Sequence, residues 1–112
     1  MAYSDNETNV QEIKNAIDIF NKERGWNKHH SPRDLAISIC LESAELLELF
    51  QWSDSDSVDS GELKSRIQEE LADVLIYCVC MSNATGIDIA DAVYKKLRNN
   101  AEKYPKKRPK TF

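Results

Sequence analysis

The amino-acid sequence predicts an all-α fold, in which one chain forms a four-helix bundle-like protomer. Two observations support this prediction. Apolar residues recur every three or four positions in four successive segments, which is the spacing of one helix face. No segment shows the apolar–polar alternation that is typical of a half-buried β-strand.

The first helix is expected between about Asn6 and Arg24, and Gly25 directly after it is a typical helix-ending residue. An apolar stripe at helical spacing runs along this segment, formed by Val10, Ile13, Ile17 and Phe20. The stripe predicts that one side of the helix packs against the rest of the protein.

The second helix is expected from Ser31 to about Gln51. Ser31 can cap the helix, Pro32 fits its first turn, and Asp34 can complete a capping box. The polar run at residues 53–60 then predicts a loop.

Two further helices follow that loop. The third is expected from about Glu62 to Thr85, because Gly86 comes next. The fourth is expected to open at Asp88 and to end near Tyr104, just before a proline.

Length and composition predict a single soluble domain over residues 1–112, with its core at about 6–104 and a basic C-terminal tail at 105–112. Hydrophobic residues make up 41% of the chain and charged residues 30%, which is a globular balance. No apolar run approaches the roughly 20 residues of a membrane helix. The net charge of −4 argues against a general nucleic-acid binder. We therefore expect neither a membrane nor a nucleic-acid partner.

The cysteines and the N-terminus predict a cytoplasmic protein. Cys40, Cys78 and Cys80 lie in apolar stretches, and an odd number suits no closed set of disulfides. Their spacing does not suit a thiol metal site, so we interpret them as reduced core residues. Residues 1–10 are polar and acidic, unlike a secretory signal.

The second and third helices are apolar almost all round. A helix buried on every side needs more neighbours than one small bundle offers. We therefore expect a homo-oligomer, either a homodimer or a homotetramer.

Four acidic residues lie in or beside the apolar stripes of these two helices, in the same register on each: Glu42 and Glu45 on the second, Glu70 and Asp73 on the third. If the stripes pack together, four carboxylates meet in a largely apolar interior, which is unfavourable without compensation. Neither residues 35–50 nor residues 67–81 contain a lysine or arginine to pair with them. Oxygen ligands suit Mg²⁺, with Mn²⁺ as a substitute, and carboxylate-held Mg²⁺ commonly meets substrate phosphates.

Two other interpretations of the acids stay open at this point. They could be solvated surface groups or members of ordinary helix ion pairs, because pairs at this spacing are common in a chain with 19 acidic residues. They could instead belong to a di-iron carboxylate bundle, which expects a Glu-x-x-His motif on two helices. Only His29 and His30 are present, both before the second helix, so the second alternative is weak.

Three segments carry a resemblance to a known family. They are LESAELLELFQW at 41–52, EELADVLIY at 69–77 and KKLRNNAEKYP at 95–105. Together they resemble the MazG-like all-α nucleoside triphosphate pyrophosphohydrolases, most closely the short dCTP pyrophosphatase branch. The resemblance extends from about Ile13 to Pro105.

The resemblance implies an activity and a cofactor. Members hydrolyse the bond between the α- and β-phosphates of a nucleotide, releasing a monophosphate and pyrophosphate. Glu42, Glu45, Glu70 and Asp73 match the acids that bind magnesium. Some members double the first acid; Leu41 stands there instead, which leaves the number of metal ions open. The branch suggests dCTP or related deoxynucleotides, in nucleotide-pool cleansing, and assembly as dimers or tetramers whose sites use more than one chain.

Further residues are candidates for substrate binding. Trp26, Trp52 and Tyr77 could stack on the base, with His30 nearby, although aromatic residues also fill cores and interfaces. The resemblance favours Lys96 and Asn100, and then Lys103, as substrate contacts on a basic fourth helix. A charge run of this kind is otherwise a solvated face. Glu45 is our candidate for the general base, because it is offset from the apolar stripe.

A different class of function stays open beside the enzyme. The apolar helices could serve a non-catalytic module that binds nucleotides or other proteins. Only a measurement of turnover separates a nucleotide sensor from a hydrolase.

Overall fold

The computed structural model describes residues 3–52 and 61–106, so the predicted loop at 53–60 and most of the predicted tail lie outside the described residues. Within the described ranges the chain is helical and contains no strand. Its elements are α1 (Val10–Glu23), a 3₁₀ helix (Asn27–His29), α2 (Pro32–Glu48), α3 (Gly61–Thr85) and α4 (Ile89–Lys103). The all-α prediction with four helices is confirmed.

The predicted start of α1 at Asn6 is wrong. The helix begins at Val10, because the side chain of Asn9 caps it by accepting a hydrogen bond from the Glu12 amide at 2.9 Å. Just before this cap the chain turns, and the amides of Glu7 and Thr8 both donate to the carbonyl of Ser4. Asn9 therefore sets the start of the helix, which the spacing of apolar residues alone does not indicate.

The start of α2 agrees with the prediction, whereas its end does not. The Ser31 hydroxyl accepts from the Asp34 amide at 3.2 Å and caps the helix. The α-helix ends at Glu48 instead of Gln51. Beyond it the amides of residues 49–51 each donate to the carbonyl three residues earlier, which is the tighter pattern of a helix end.

The turn between α3 and α4 is built by Gly86, whose φ of +71° is the left-handed conformation that favours glycine. The Ile87 amide donates back to the Ser82 carbonyl, and the Ser82 hydroxyl donates to the Ile87 carbonyl at 2.7 Å. Asp88 then caps α4 by accepting from the Asp91 amide. These contacts fix a sharp bend, so that α4 leaves α3 at 103°.

No single helix among the described residues has the length and apolar composition to cross a membrane. The helices α3 and α4 meet that criterion only when they are taken together, across the bend that separates them.

The core lies where α2 and α3 pack along each other, with α1 against α3. Its buried apolar side chains in the described ranges are Leu35, Val79 and Cys80. Cys78 is half-buried, but Cys40 is exposed, so its prediction as a core residue is wrong for the isolated chain. The apolar surface of α2 extends beyond what α1 and α3 cover.

Much apolar surface stays exposed in one chain. The stripe of α1 is covered only in part, because Ile17 is half-buried while Val10, Ile13 and Phe20 are exposed. The helix α4 buries none of its residues and packs only lightly on the others. The radius of gyration is 17.8 Å, against about 13 Å for a compact domain of this length.

We expect Leu35→Ala to lower the free energy of unfolding by about 2–5 kcal/mol, because Leu35 is the side chain buried most completely between the helices. Urea denaturation followed by circular dichroism measures this loss. Leu35→Met, which nearly conserves volume, is the control and should cost less than about 1.5 kcal/mol. Equal losses in the two variants would contradict the assignment of Leu35 to the packed core.

Candidate functional site

Four carboxylates meet where α2 packs on α3. Each of the residues concerned offers one oxygen that lies within 4.8 Å of the oxygens offered by the others: Glu42, Glu45, Glu70 and Asp73. Two acids three residues apart lie on neighbouring turns of one helix face. The packing of the two helices therefore turns two local pairs into one cluster, which we call the acid cluster.

Within the acid cluster, two carboxylates are withdrawn from water and two are exposed. Glu42 and Glu70 are half-buried, whereas Glu45 and Asp73 are exposed. The Oε2 atoms of Glu42 and of Glu70 are fully buried and have no hydrogen-bond partner within the described residues. Buried polar atoms are nearly always paired, so these two oxygens lack the partner that would stabilise them.

Burial raises the pKa of Glu42, and a hydrogen bond and the charge of Glu45 raise it further. Burial likewise raises the pKa of Glu70, followed by the charges of Glu45 and Asp73. Every charged group that shifts these two pKa values is an acid. Among residues 3–52 and 61–106, no basic side chain is one of the charged groups that act on these two acids.

These properties fit a divalent cation. An all-oxygen donor set of four carboxylates suits Mg²⁺ or Mn²⁺ better than zinc. A cation bound among them would give the two unpaired buried oxygens a partner and would offset the mutual repulsion of the charges. No histidine takes part, so the cluster lacks the mixed ligands of a di-iron bundle.

A pocket of about 380 Å³ adjoins the acid cluster through Asp73, which belongs to both. Its walls bring together Trp26, His30 and Tyr77, three residues singled out from the sequence. The pocket is also lined by residues that the sequence did not indicate as part of a site: Ala16, Ile17, Phe20, Asn21, Ile76 and Cys80. We call this cavity the aromatic pocket.

A turn at the end of α1 positions the aromatic rings of this pocket. Gly25 has a φ of +66°, and its amide donates to the Lys22 carbonyl. The Trp26 amide donates to the Asn21 carbonyl at 2.9 Å, which completes a Schellman motif. The indole of Trp26 is thereby turned back onto Phe20, with the ring centroids 5.6 Å apart and nearly perpendicular.

Tyr77 lies one turn beyond Asp73 on α3 and faces both the aromatic pocket and the acid cluster. Burial raises its pKa, and the negative charge of Glu42 adds to the shift. The phenol therefore stays protonated at neutral pH and can donate a hydrogen bond from its position between the two parts of the site.

Four predicted substrate residues lie elsewhere in the single chain, and none of them lines the aromatic pocket. Trp52 follows α2 and is 89% exposed. Lys96, Asn100 and Lys103 lie on α4, where the Lys103 ammonium is 5.5 Å from the Tyr104 ring centre. Their roles in substrate binding stay predictions.

We expect the metal-free protein to lose stability, relative to Glu42→Gln, as the pH rises. Glu42 binds its proton more tightly in the folded protein than in the unfolded chain. Its contribution is therefore most favourable below the ordinary glutamate pKa of about 4.3 and is lost as the pH rises through the folded value.

Urea denaturation in EDTA between weakly acidic and neutral pH tests this expectation. The free energy of unfolding of the unmodified protein minus that of Glu42→Gln should decrease steadily over the range, and added Mg²⁺ should reverse the decrease. A difference that is constant with pH would show that Glu42 titrates normally.

Comparison with known proteins identifies the family. The model of the MazG-like family matches residues 37–111, a range that includes the whole acid cluster. The chain is 36% identical over 104 residues to dCTP pyrophosphatase 1 of Mus musculus, and 36% over 103 residues to that of Homo sapiens. These matches cover 88% of the chain and 61% of each relative, so the chain spans about three fifths of their length.

A solved structure supports the same conclusion. A pyrophosphatase from Archaeoglobus fulgidus superposes with a TM-score of 0.77 at 42% sequence identity, covering 87% of this chain and 93% of that one. Since the family model matches most of the chain and includes all four clustered acids, the chain belongs to the MazG-like family.

Proposed function

We propose that the protein is a Mg²⁺-dependent nucleoside triphosphate pyrophosphohydrolase, which converts a (deoxy)nucleoside triphosphate to its monophosphate and pyrophosphate. The observation that carries the proposal is that Asp73 joins a cluster of four carboxylates to an aromatic pocket. A nucleotide has the same two parts, a flat base and a chain of phosphates. The names of the relatives support a pyrophosphatase activity.

The aromatic pocket would hold the base. Trp26 and Tyr77 offer aromatic faces on which a base can stack, and His30 adds a polar group to the same wall. The position of Asp73 at the edge of the pocket directs the phosphates toward the acid cluster. Binding the base therefore orients the phosphate chain, which lowers the entropic cost of reaching the reactive geometry.

The acid cluster would hold the cation, with Glu42, Glu45, Glu70 and Asp73 as its ligands. When bound, Mg²⁺ screens the phosphate charge and makes a coordinated water easier to deprotonate. Glu42 and Glu70 would contribute from the buried side, where burial and neighbouring acids raise their pKa values and a bound cation would offset that unfavourable charge.

Glu45 is the proposed general base. Its carboxylate is exposed within the cluster, where a water molecule can reach it. Glu45 would accept a proton as the water oxygen attacks the α-phosphorus, the bond from that phosphorus to the bridging oxygen breaks, and pyrophosphate leaves with the bond electrons. The tyrosine hydroxyl of Tyr77 can donate a hydrogen bond beside the same site.

The substrate and the biological role belong to the same proposal. The names of the relatives support dCTP or a related deoxynucleotide, and hence a role in nucleotide-pool cleansing. We propose a small-molecule nucleotide as the substrate, with no nucleic-acid partner.

The active form is proposed to be a homodimer or homotetramer in which α4 of a second copy completes the site. In one chain, α4 buries no residue, packs lightly on the others and keeps Lys96 and Asn100 away from the aromatic pocket. The acid cluster has no basic neighbour among the groups that shift its pKa values, yet phosphates favour nearby cations. A second copy could supply both the missing cations and cover for the exposed apolar surface.

We expect Glu42→Gln and Glu70→Gln each to reduce turnover of deoxynucleoside triphosphates with Mg²⁺ by at least about a hundredfold, because each removes a proposed metal ligand. Products are measured by chromatography, and monophosphate with pyrophosphate identifies the bond that breaks. Glu48→Gln, an exposed acid of α2 outside the cluster, is the matched control and should retain activity. Release of orthophosphate alone, or no turnover of any nucleotide, would refute the proposal.

We expect a mixture of two inactive variants, Glu70→Gln and Lys96→Ala, to recover about a quarter of the unmodified activity if each site uses two symmetry-related chains. Half of the randomly mixed dimers would contain both variants, and each would have one intact site of two. The activity is compared before and after the variants are mixed under conditions that exchange subunits. An activity that does not rise when the variants are mixed would mean that Lys96 serves the acids of its own chain.

A further inference from the structure

The aromatic pocket does not end at its apolar walls. A second cavity of about 260 Å³ lies beside it, and the two cavities share Asn21, His30 and Cys80. The second cavity is polar, and its remaining lining residues are Asp18, Asn27, Asn83 and Ala84. The shared residues therefore form a boundary between the two cavities. A flat ring in the apolar pocket would meet polar groups at this boundary, and these groups can form hydrogen bonds with the edge of the ring.

Asn21 is the unusual member of this boundary. It lies one turn after Ile17, on the inward stripe of α1, and is only 7% exposed. Its Nδ2 donates a hydrogen bond to the Sγ of Cys80 at 3.3 Å, and Cys80 is itself buried. Burial raises the pKa of the Cys80 thiol, so the sulfur stays neutral and accepts this bond without a charge.

The Cys80 contact leaves the carbonyl oxygen of Asn21 for another partner. Across residues 3–52 and 61–106, no protein group donates to its Oδ1. Asn21 lines both cavities, so a donor from a bound ligand can reach this oxygen. In the observed orientation Nδ2 is engaged by the sulfur, so Oδ1 is the group of this amide that a ligand can use.

We propose that Asn21 is a specificity-determining residue, whose Oδ1 accepts a hydrogen bond from the exocyclic amino group of the nucleobase. The inference rests on the proposed function, since it assigns the base to the aromatic pocket. Cytosine carries an amino group where uracil carries a carbonyl, and two carbonyl oxygens facing each other repel. The boundary would therefore select an amino base over its keto counterpart, with Cys80 as the positioning residue that fixes the amide.

The test compares dCTP with dUTP, two substrates of almost the same shape. The unmodified protein should show a kcat/KM for dCTP at least about tenfold above that for dUTP. Asn21→Leu keeps the branched shape and removes the carbonyl, so it should bring the ratio close to one. Asn15→Leu, the same change at an exposed position of α1 that lines neither cavity, is the control and should leave the ratio unchanged.

A second variant addresses the positioning role. Cys80→Ala removes the acceptor for Nδ2, so the amide can turn and offer either group. Its dCTP-to-dUTP ratio should fall toward one, while circular dichroism reports whether the fold persists. A ratio that is unaffected by both Asn21→Leu and Cys80→Ala, or a preference of the unmodified protein for dUTP, would overturn the inference.

Binding of the monophosphates separates this inference from the proposed function. Isothermal titration with dCMP and dUMP requires no turnover. Tighter binding of dCMP that is lost in Asn21→Leu supports the role of Asn21, even if no triphosphate is hydrolysed. Hydrolysis without any base selection at Asn21 would leave the pyrophosphatase standing and refute the inference alone.

Discussion

The repulsion among four carboxylates at the contact of α2 and α3 is the constraint on which the rest of the structure depends. In the part of the chain that the structure describes, two of their oxygens are buried without a hydrogen-bond partner, and the charged groups that act on Glu42 and Glu70 are all acids. A fold selected only for stability would place apolar or paired side chains there. The helices instead bring four acids together, and the mutual repulsion of these acids opposes the packing of α2 on α3 unless a cation offsets it.

The backbone also links this cluster to the aromatic pocket. Asp73 and Tyr77 lie on α3. Phe20 lies on α1, and the glycine turn after that helix places Trp26 against it. The Asn21 residue has two separate roles in that arrangement. Its carbonyl anchors the Trp26 amide, and its side chain bonds to Cys80 on α3. Asn21 thereby fixes the position of Trp26 relative to α3, the helix that carries Glu70 and Asp73.

The sequence revealed the acids because their signal is local. Helical spacing places Glu42 and Glu45 on one face, and a missing basic partner can be seen without coordinates. The pairing of Asn21 with Cys80 joins residues 59 positions apart and leaves no such trace. The helix ends depend on individual hydrogen bonds that the apolar spacing does not reveal. Asn9 caps α1 later than this spacing suggests, and hydrogen bonds to the carbonyl three residues earlier end α2 before Gln51. Cys40 and Trp52 are exposed because no other element of the single chain packs over them, and the apolar pattern of the sequence does not show this.

The exposed apolar surface connects assembly with the chemistry of the site. A chain whose described core contains only three buried apolar residues gains little from its own packing, and α4 gains almost nothing. In the proposed oligomer, association covers this surface and brings the cations of α4 to the phosphates, while metal binding relieves the acid cluster. Both events favour the folded state by mass action. If both proposals hold, subunit association and Mg²⁺ binding would stabilise the same structure, and each would become easier once the other had occurred.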